Sequence, residues 1–317
     1  MILSILFVVA GFVALIFGAN WLVDGASALA KKYKVSDLVI GLTIVAFGTS
    51  APELVVNSIA SVKGYSDIVL GNIIGSNNFN LFIILGLSGV ILPIKVQTST
   101  AWKEIPISLF ISVLVLFLLN DFVFTGTSYS SRLDGVIMLI LFCLFLYYVF
   151  NQMKSDPQTV TTDIQKTALK IWGLIIVGLS GLILGGQLVV ENSIDIANTL
   201  GVSEKIIGLT IVAAGTSLPE LVTSIVAATK KNSDIAIGNV IGSNIFNILL
   251  ILSISSIIRP IEYNPKFNID LLILIGGTVF LLTSMLTGQR KKLDRWEAGI
   301  LFGFYLLYTS YLVMKEI

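Results

Sequence analysis

Residues 44–55 read IVAFGTSAPELV, and residues 211–222 read IVAAGTSLPELV. Each stretch sets a glycine, two hydroxyls, a proline and a glutamate inside an otherwise apolar run. A helix in lipid avoids such residues, because backbone or side-chain polar groups left unpaired in hydrocarbon are costly. The repetition raises two questions: whether the surroundings are a membrane, and what the interruption is for.

Composition settles the first. Of the 317 residues, 55% are hydrophobic and only 12% are charged, more apolar surface than a soluble domain of this size can bury. The net charge is +1, which gives no basic or acidic face for a nucleic-acid partner. Histidine is absent, which removes the commonest general base, metal ligand and proton relay. A lone cysteine, Cys143, excludes disulfides within the chain and reads as a small core or lipid-facing residue. The apolar first 18 residues have no basic segment before them and no clear cleavage site after them, so they read as part of a retained span.

A hydrocarbon core of about 30 Å requires roughly 17–25 apolar residues per helix. Ten such segments lie near 3–29, 38–61, 68–91, 104–121, 133–150, 169–197, 206–229, 235–258, 268–287 and 296–314. The fold class expected is therefore an all-α polytopic membrane protein. Residues 1–150 form one five-helix half, 151–167 a linker and 168–317 a second half. Fourteen of the 20 Lys and Arg residues fall on the side reached after odd-numbered spans, which places the linker in the cytoplasm and both termini outside. Trp21, Trp102, Trp172 and Trp296 fall near span ends, as interfacial anchors do.

The two halves are copies. Residues 41–80 align without a gap on 208–247 at a constant offset of 167, with 26 of 40 positions identical. The identities include Gly48/Gly215, Thr49/Thr216, Pro52/Pro219, Glu53/Glu220, Ser76/Ser243 and Asn80/Asn247, which resemblance between generic apolar helices does not produce. Five spans per half is odd, so the second copy enters the membrane inverted. Inverted repeats with interrupted segments at matched positions are the mark of a secondary transporter with its site at the midplane.

The interruption has a chemical use. Pro52 cannot donate to the carbonyl of Gly48, nor Pro219 to that of Gly215, and carbonyls freed at membrane depth persist only where a cation or water meets them. Beside each break stands a glutamate with no Lys or Arg in the apolar stretches to neutralise it. Two inverted copies bring Glu53 and Glu220 together near the pseudo-two-fold axis. Carboxylates, carbonyls and hydroxyls make a hard, all-oxygen site suited to Ca²⁺ or Na⁺. Ser76 and Asn80 share one helix face, as do Ser243 and Asn247, and can aim oxygen at the same place. Gly71, Gly75, Gly238 and Gly242 read as close-packing glycines. Asp24 and Glu191, matched but nearer span ends, read as structural or gating residues, and Asp67 and Asp234 as helix caps.

GTSAPE with GNIIGSNNFN, and GTSLPE with GNVIGSNIFN, resemble the two alpha repeats of the Ca²⁺/cation antiporter superfamily, specifically its sodium/calcium exchanger branch. The resemblance implies that spans 2, 3, 7 and 8 build the ion site and that spans 1 and 6 form a mobile gate across it. It implies Ca²⁺ ligands at the carboxylates of Glu53 and Glu220 and the carbonyls of Thr49 and Thr216. Sodium sites would share these glutamates and add Ser76, Ser243 and the carbonyls of Ala46 and Ala213. Ser50 and Ser217 would line the site, with Asn80 and Asn247 facing its centre. Potassium-dependent members carry Asp at one of the last two positions; Asn at both argues against K⁺ co-transport and against an extra buried proton site. The implied activity is exchange of three Na⁺ for one Ca²⁺, with the ions as transported substrates, no cofactor and no obligatory protein partner. A H⁺/Ca²⁺ antiporter is the nearest alternative. A cation channel fits an inverted repeat poorly, and an intramembrane hydrolase would leave Ser50 or Ser217 without a base.

Overall fold

The computed structural model describes residues 2–120, 128–155, 167–200, 213–287 and 291–316. Residues 206–212 of the seventh expected span and 156–166 of the expected linker lie outside the described residues. The helices are α1 (Ile2–Tyr33), α2 (Asp37–Thr49), α3 (Ala51–Lys63), α4 (Ser66–Ile91), α5 (Thr100–Leu119), α6 (Arg132–Ser155), α7 (Ala168–Thr199), α8 (Leu218–Thr229), α9 (Ser233–Ile258), α10 (Phe267–Ser284) and α11 (Arg295–Glu316). Among the described residues seven helices are long and apolar enough to cross a membrane singly, and α2 with α3 makes an eighth as a bent pair. With α8 and α11 this is the ten-helix, all-α polytopic fold of two inverted five-helix repeats. Helix α6 runs past residue 150 to Ser155, so the expected boundary of the first half falls inside a helix.

Pseudo-symmetry governs the packing. Helix α6 packs on α9 of the other repeat, and α11 on α4, so the fifth helix of each half braces the third helix of its twin. Two short antiparallel pairs repeat the exchange. Strand β1 (Ile94–Lys95) pairs with β4 (Lys292–Leu293), and β2 (Tyr129–Ser130) with β3 (Ile261–Glu262), each bridging the two repeats.

Helices α1 and α7, each of 32 residues, are about 48 Å long at 1.5 Å per residue and must tilt to fit a bilayer. They cross antiparallel on glycines. A Cβ on Gly178 would meet Leu22 N at 2.6 Å and Gly18 O at 2.8 Å, and one on Gly11 would meet Gly185 O at 2.8 Å. With no hydrophobic drive between helices in lipid, such backbone-to-backbone approach is what holds them.

A second glycine crossing fixes the site. Helix α2 lies on α9 where a Cβ at Gly238 would meet Leu38 O at 3.0 Å, and one at Gly242 would meet the Ala46 Cβ at 2.7 Å and Leu42 O at 2.9 Å. The side chains Leu38, Leu42 and Ala46 join one large core with α4–α6 and α9–α11, while α1, α7 and α8 form a second.

Asp234 is not a cap. The N-cap of α9 is Asn232, whose side chain accepts from the Ile235 N–H at 3.1 Å, while Asp234 in the first turn accepts from Gln97 at 2.6 Å. Asp67 likewise lies one position inside the first turn of α4, behind Tyr65. Asn232 holds the N-cap position itself, from which its side chain reaches the Ile235 N–H, whereas Tyr65 at the matching position makes no side-chain cap bond.

Candidate cation site

The break between α2 and α3 bends the chain by 47° at Ser50. Ser50 adopts φ −84°, ψ 7° and its twin Ser217 φ −91°, ψ 8°, the sparsely populated bridge region in both copies. Pro52 and Pro219 each fall in the first turn of the helix that follows, where a missing N–H is tolerated. The glutamate comes next, so Glu53 and Glu220 each point from the first turn of a half-helix that begins deep in the molecule. Both are 1% exposed.

The serines then reach across the axis. Ser50 Oγ donates to Glu220 Oε1 at 2.9 Å and lies 3.0 Å from Ser243 Oγ. Ser217 Oγ donates to Glu53 Oε1 at 3.4 Å and lies 3.2 Å from Ser76 Oγ. Each breakpoint serine thus serves the glutamate and the serine of the same neighbouring pair, and the two clusters are related by the offset of 167. The threonines cross too: Thr49 Oγ1 donates to Asn239 Oδ1 at 3.0 Å and Thr216 Oγ1 to Asn72 Oδ1 at 3.3 Å.

One turn further along α4 and α9, four asparagines interlock. Asn77 Nδ2 donates to the backbone carbonyl of Asn244 at 3.3 Å, and Asn244 Nδ2 to that of Asn77 at 3.4 Å. Asn80 Nδ2 donates to Asn244 Oδ1 at 3.1 Å, and Asn247 Nδ2 to Asn77 Oδ1 at 2.9 Å. A π-helical turn takes in the last asparagine of each helix, Asn80 within Phe79–Ile84 and Asn247 at the start of Asn247–Leu252, a widening that recurs at functional sites.

These bonds leave a defined residue of chemistry. Glu53 Oε2, Glu220 Oε2, Asn80 Oδ1 and Asn247 Oδ1 are buried and have no hydrogen-bond partner. Buried polar atoms are nearly always paired, and a buried carboxylate oxygen is the costliest to leave unpaired. Four orphaned oxygens at matched positions, with no donor aimed at them, suit a cation. Among the described residues no three Asp, Glu, His or Cys side chains come close enough together to hold a metal ion, so a cation here would rest on two carboxylates and neutral oxygens. An open cavity of about 530 Å³ near Lys230 is lined by Asp24, Asp37 and Asp234 and by neither glutamate.

The whole chain compares closely with known proteins. Residues 3–151 and 170–314 match the family model described as sodium/calcium exchanger protein. The chain belongs to the sodium/calcium exchanger family. It is 35% identical to the putative antiporter CaxA of Alkalimonas amylolytica, over 98% of this chain and all of that one. It is 32% identical to the sodium/calcium exchanger MaX1 of Methanosarcina acetivorans, over 96% and 97% of the two chains. Among solved structures it superposes on the sodium-calcium exchanger NCX_Mj with a TM-score of 0.84 and 32% identity, covering 98% of this chain and 99% of that one.

In this family member the structure joins Ser50, Glu220 and Ser243 in one cluster and Ser217, Glu53 and Ser76 in its twin, with Thr49 and Thr216 bonded to Asn239 and Asn72. The carbonyl of Ala46 accepts from the Ser50 N–H at 3.0 Å and so still serves its helix. Ala213 opens the short turn Ala213–Gly215 just before the second break. Asp24 pairs with Lys230 at 2.7 Å, away from the glutamates, and Glu191 is exposed. Sequence reasoning missed Asn72, Asn77, Asn239 and Asn244. Their signal was present, since all four lie in the matched GNxxGSN blocks, but identity alone does not say which side chains face each other.

Proposed function

We propose that this chain is an antiporter that exchanges Na⁺ for Ca²⁺ by alternating access. The observation that carries the reading is the set of four orphaned, buried oxygens on Glu53, Glu220, Asn80 and Asn247. In this reading one Ca²⁺ takes the two carboxylates together with the carbonyls of Thr49 and Thr216. Sodium ions share the carboxylates and add Ser76, Ser243 and the carbonyls of Ala46 and Ala213, with Ser50 and Ser217 holding the glutamates in place.

The charge balance gives antiport its logic. Two ionised glutamates carry −2, which one Ca²⁺ or two Na⁺ neutralise. Moving unneutralised carboxylates through a closed, low-dielectric state costs several kcal/mol per ion, so the loaded protein switches sides and the empty one does not. A third Na⁺ adds one net charge per cycle, and the membrane potential then contributes about 2.3 kcal/mol per 100 mV. Exchange couples the two ions in opposite directions whichever way the chain is inserted, so an inward Na⁺ gradient drives Ca²⁺ out; this reading sets the linker in the cytoplasm and both termini outside.

The test is ⁴⁵Ca²⁺ uptake into proteoliposomes loaded with Na⁺, compared with K⁺-loaded and acid-loaded vesicles. Uptake is expected only with internal Na⁺, increased by an inside-positive potential and abolished by Glu53→Gln or Glu220→Gln. Uptake driven equally by an acid interior without Na⁺ would refute sodium coupling in favour of H⁺/Ca²⁺ exchange.

A further inference from the structure

The four-asparagine knot between α4 and α9 has a direction, and the backbone sets it. The carbonyls of Asn77 and Asn244 can only accept, so each must face the NH₂ side of the other residue's amide. The Oδ1 atoms of Asn77 and Asn244 are thereby turned the other way, toward Asn247 and Asn80. An oxygen there can be met only by NH₂, and it is, at 2.9 Å from Asn247 and 3.1 Å from Asn80. Both NH₂ groups being engaged, the oxygens of Asn80 and Asn247 are left as the free ends of the chain. All four residues are at most 3% exposed, so water does not compete for these bonds.

We propose that Asn77 and Asn244 are positioning residues that hold the amides of Asn247 and Asn80 oxygen-first for a cation, and that they act crosswise. Asn77 on α4 sets Asn247 on α9, and Asn244 on α9 sets Asn80 on α4. The proposal rests on the cation-exchange reading of the site. An asparagine presents oxygen or NH₂ after a half-turn of its amide, and NH₂ repels a cation. At both positions an amide alone is therefore ambiguous, and a second amide, itself pinned by backbone across the pseudo-two-fold, removes the ambiguity. The arrangement also ties the two inverted halves together beside the site, so that neither amide can turn without breaking a bond to the opposite repeat.

Asn77→Ala frees the Asn247 amide to turn, and Ca²⁺ affinity is expected to fall about tenfold, the loss that accompanies one buried hydrogen bond. The deciding readout is its dependence on background. A carboxylate shows oxygen in either orientation, so in Asn247→Asp protein the further change Asn77→Ala is expected to alter Ca²⁺ affinity less than about twofold. In Asn80→Asp protein the same change still costs about tenfold. The mirror set, Asn244→Ala, is neutral with Asn80→Asp and costly with Asn247→Asp, and it serves if Asn77→Ala fails to fold. Affinities are read by calorimetric titration of Ca²⁺ into full-length protein in detergent. A loss of equal size in all backgrounds, or none in any, would overturn the proposal and mark the knot as packing alone. Wild-type protein that binds no Ca²⁺ would instead sink the exchange reading itself, and this proposal with it.

Discussion

Gly242→Ala adds a single methyl to α9, one residue before Ser243. The new Cβ would lie 2.7 Å from the Cβ of Ala46, 2.9 Å from Leu42 O and 3.0 Å from Leu42 Cα. Two of these are backbone and the third is a methyl with no freedom to turn away, so the helices themselves must separate. Restoring ordinary contact takes roughly 0.7 Å. The bonds Ser50 Oγ to Ser243 Oγ and Thr49 Oγ1 to Asn239 Oδ1, both 3.0 Å, cross the same α2–α9 junction. Lengthened by that amount they reach about 3.7 Å, where neither is a hydrogen bond. Overpacking costs about 1–3 kcal/mol and each lost neutral bond about 0.5–1.5 kcal/mol. A total of about 2–6 kcal/mol follows, with Ca²⁺ affinity down about tenfold or more because Ser50 no longer holds Glu220 from a fixed position. The control is Gly276→Ala on α10, where nothing among the described residues lies within 4 Å of the added methyl. Thermal unfolding in detergent and Ca²⁺ titration check both variants. Gly242→Ala with wild-type stability and affinity would refute the claim that the α2–α9 crossing sets the site.

Other outcomes follow from the same geometry. Ser50→Ala is expected to weaken Ca²⁺ binding about 10- to 100-fold, the range for a hydrogen bond to a charged group, and Ser217→Ala less, since its bond to Glu53 is 3.4 Å against 2.9 Å; equal losses in titration would show that the two clusters are equivalent. Gly178→Ala forces the α1 backbone away and is expected to lower stability by about 1–3 kcal/mol, whereas Gly181→Ala, whose nearest contact would be 3.3 Å, costs less; a thermal melt that ranks them the other way sinks the antiparallel glycine crossing. Lys230→Gln breaks the pair with Asp24, but side-chain exposures of 29% and 49% limit the effect to about 1 kcal/mol or less, diminishing with salt. A larger, salt-independent shift would mean that the backbone bond from Lys230 to Asn20 carries the contact.

The sequence by itself determined the membrane class, the inverted duplication and the paired glutamates beside each break, for physical reasons that act locally. Apolar length marks a span whatever surrounds it. A proline withholds one N–H from a helix wherever it falls, and an unneutralised glutamate in hydrocarbon calls for a cation. Because the copies are aligned without a gap, each such residue could be matched to its twin without any coordinates. Local rules erred where two neighbours compete for one role, as at the start of α9, where Asn232 rather than Asp234 caps the helix.

Tertiary structure alone decided which partners meet. Ser50 is three residues from Glu53 yet bonds Glu220, and Asn77 is three residues from Asn80 yet orients Asn247. A helix places near neighbours on adjoining faces, but whether a side chain turns to its own repeat or to the inverted one depends on how closely two distant backbones approach. Here that approach is set by glycines at helix crossings, such as Gly238 and Gly242 of α9 against α2, and by the bracing of each third helix by the opposite fifth. Spacing along one chain carries the periodicity of a helix; it does not carry the distance between two helices.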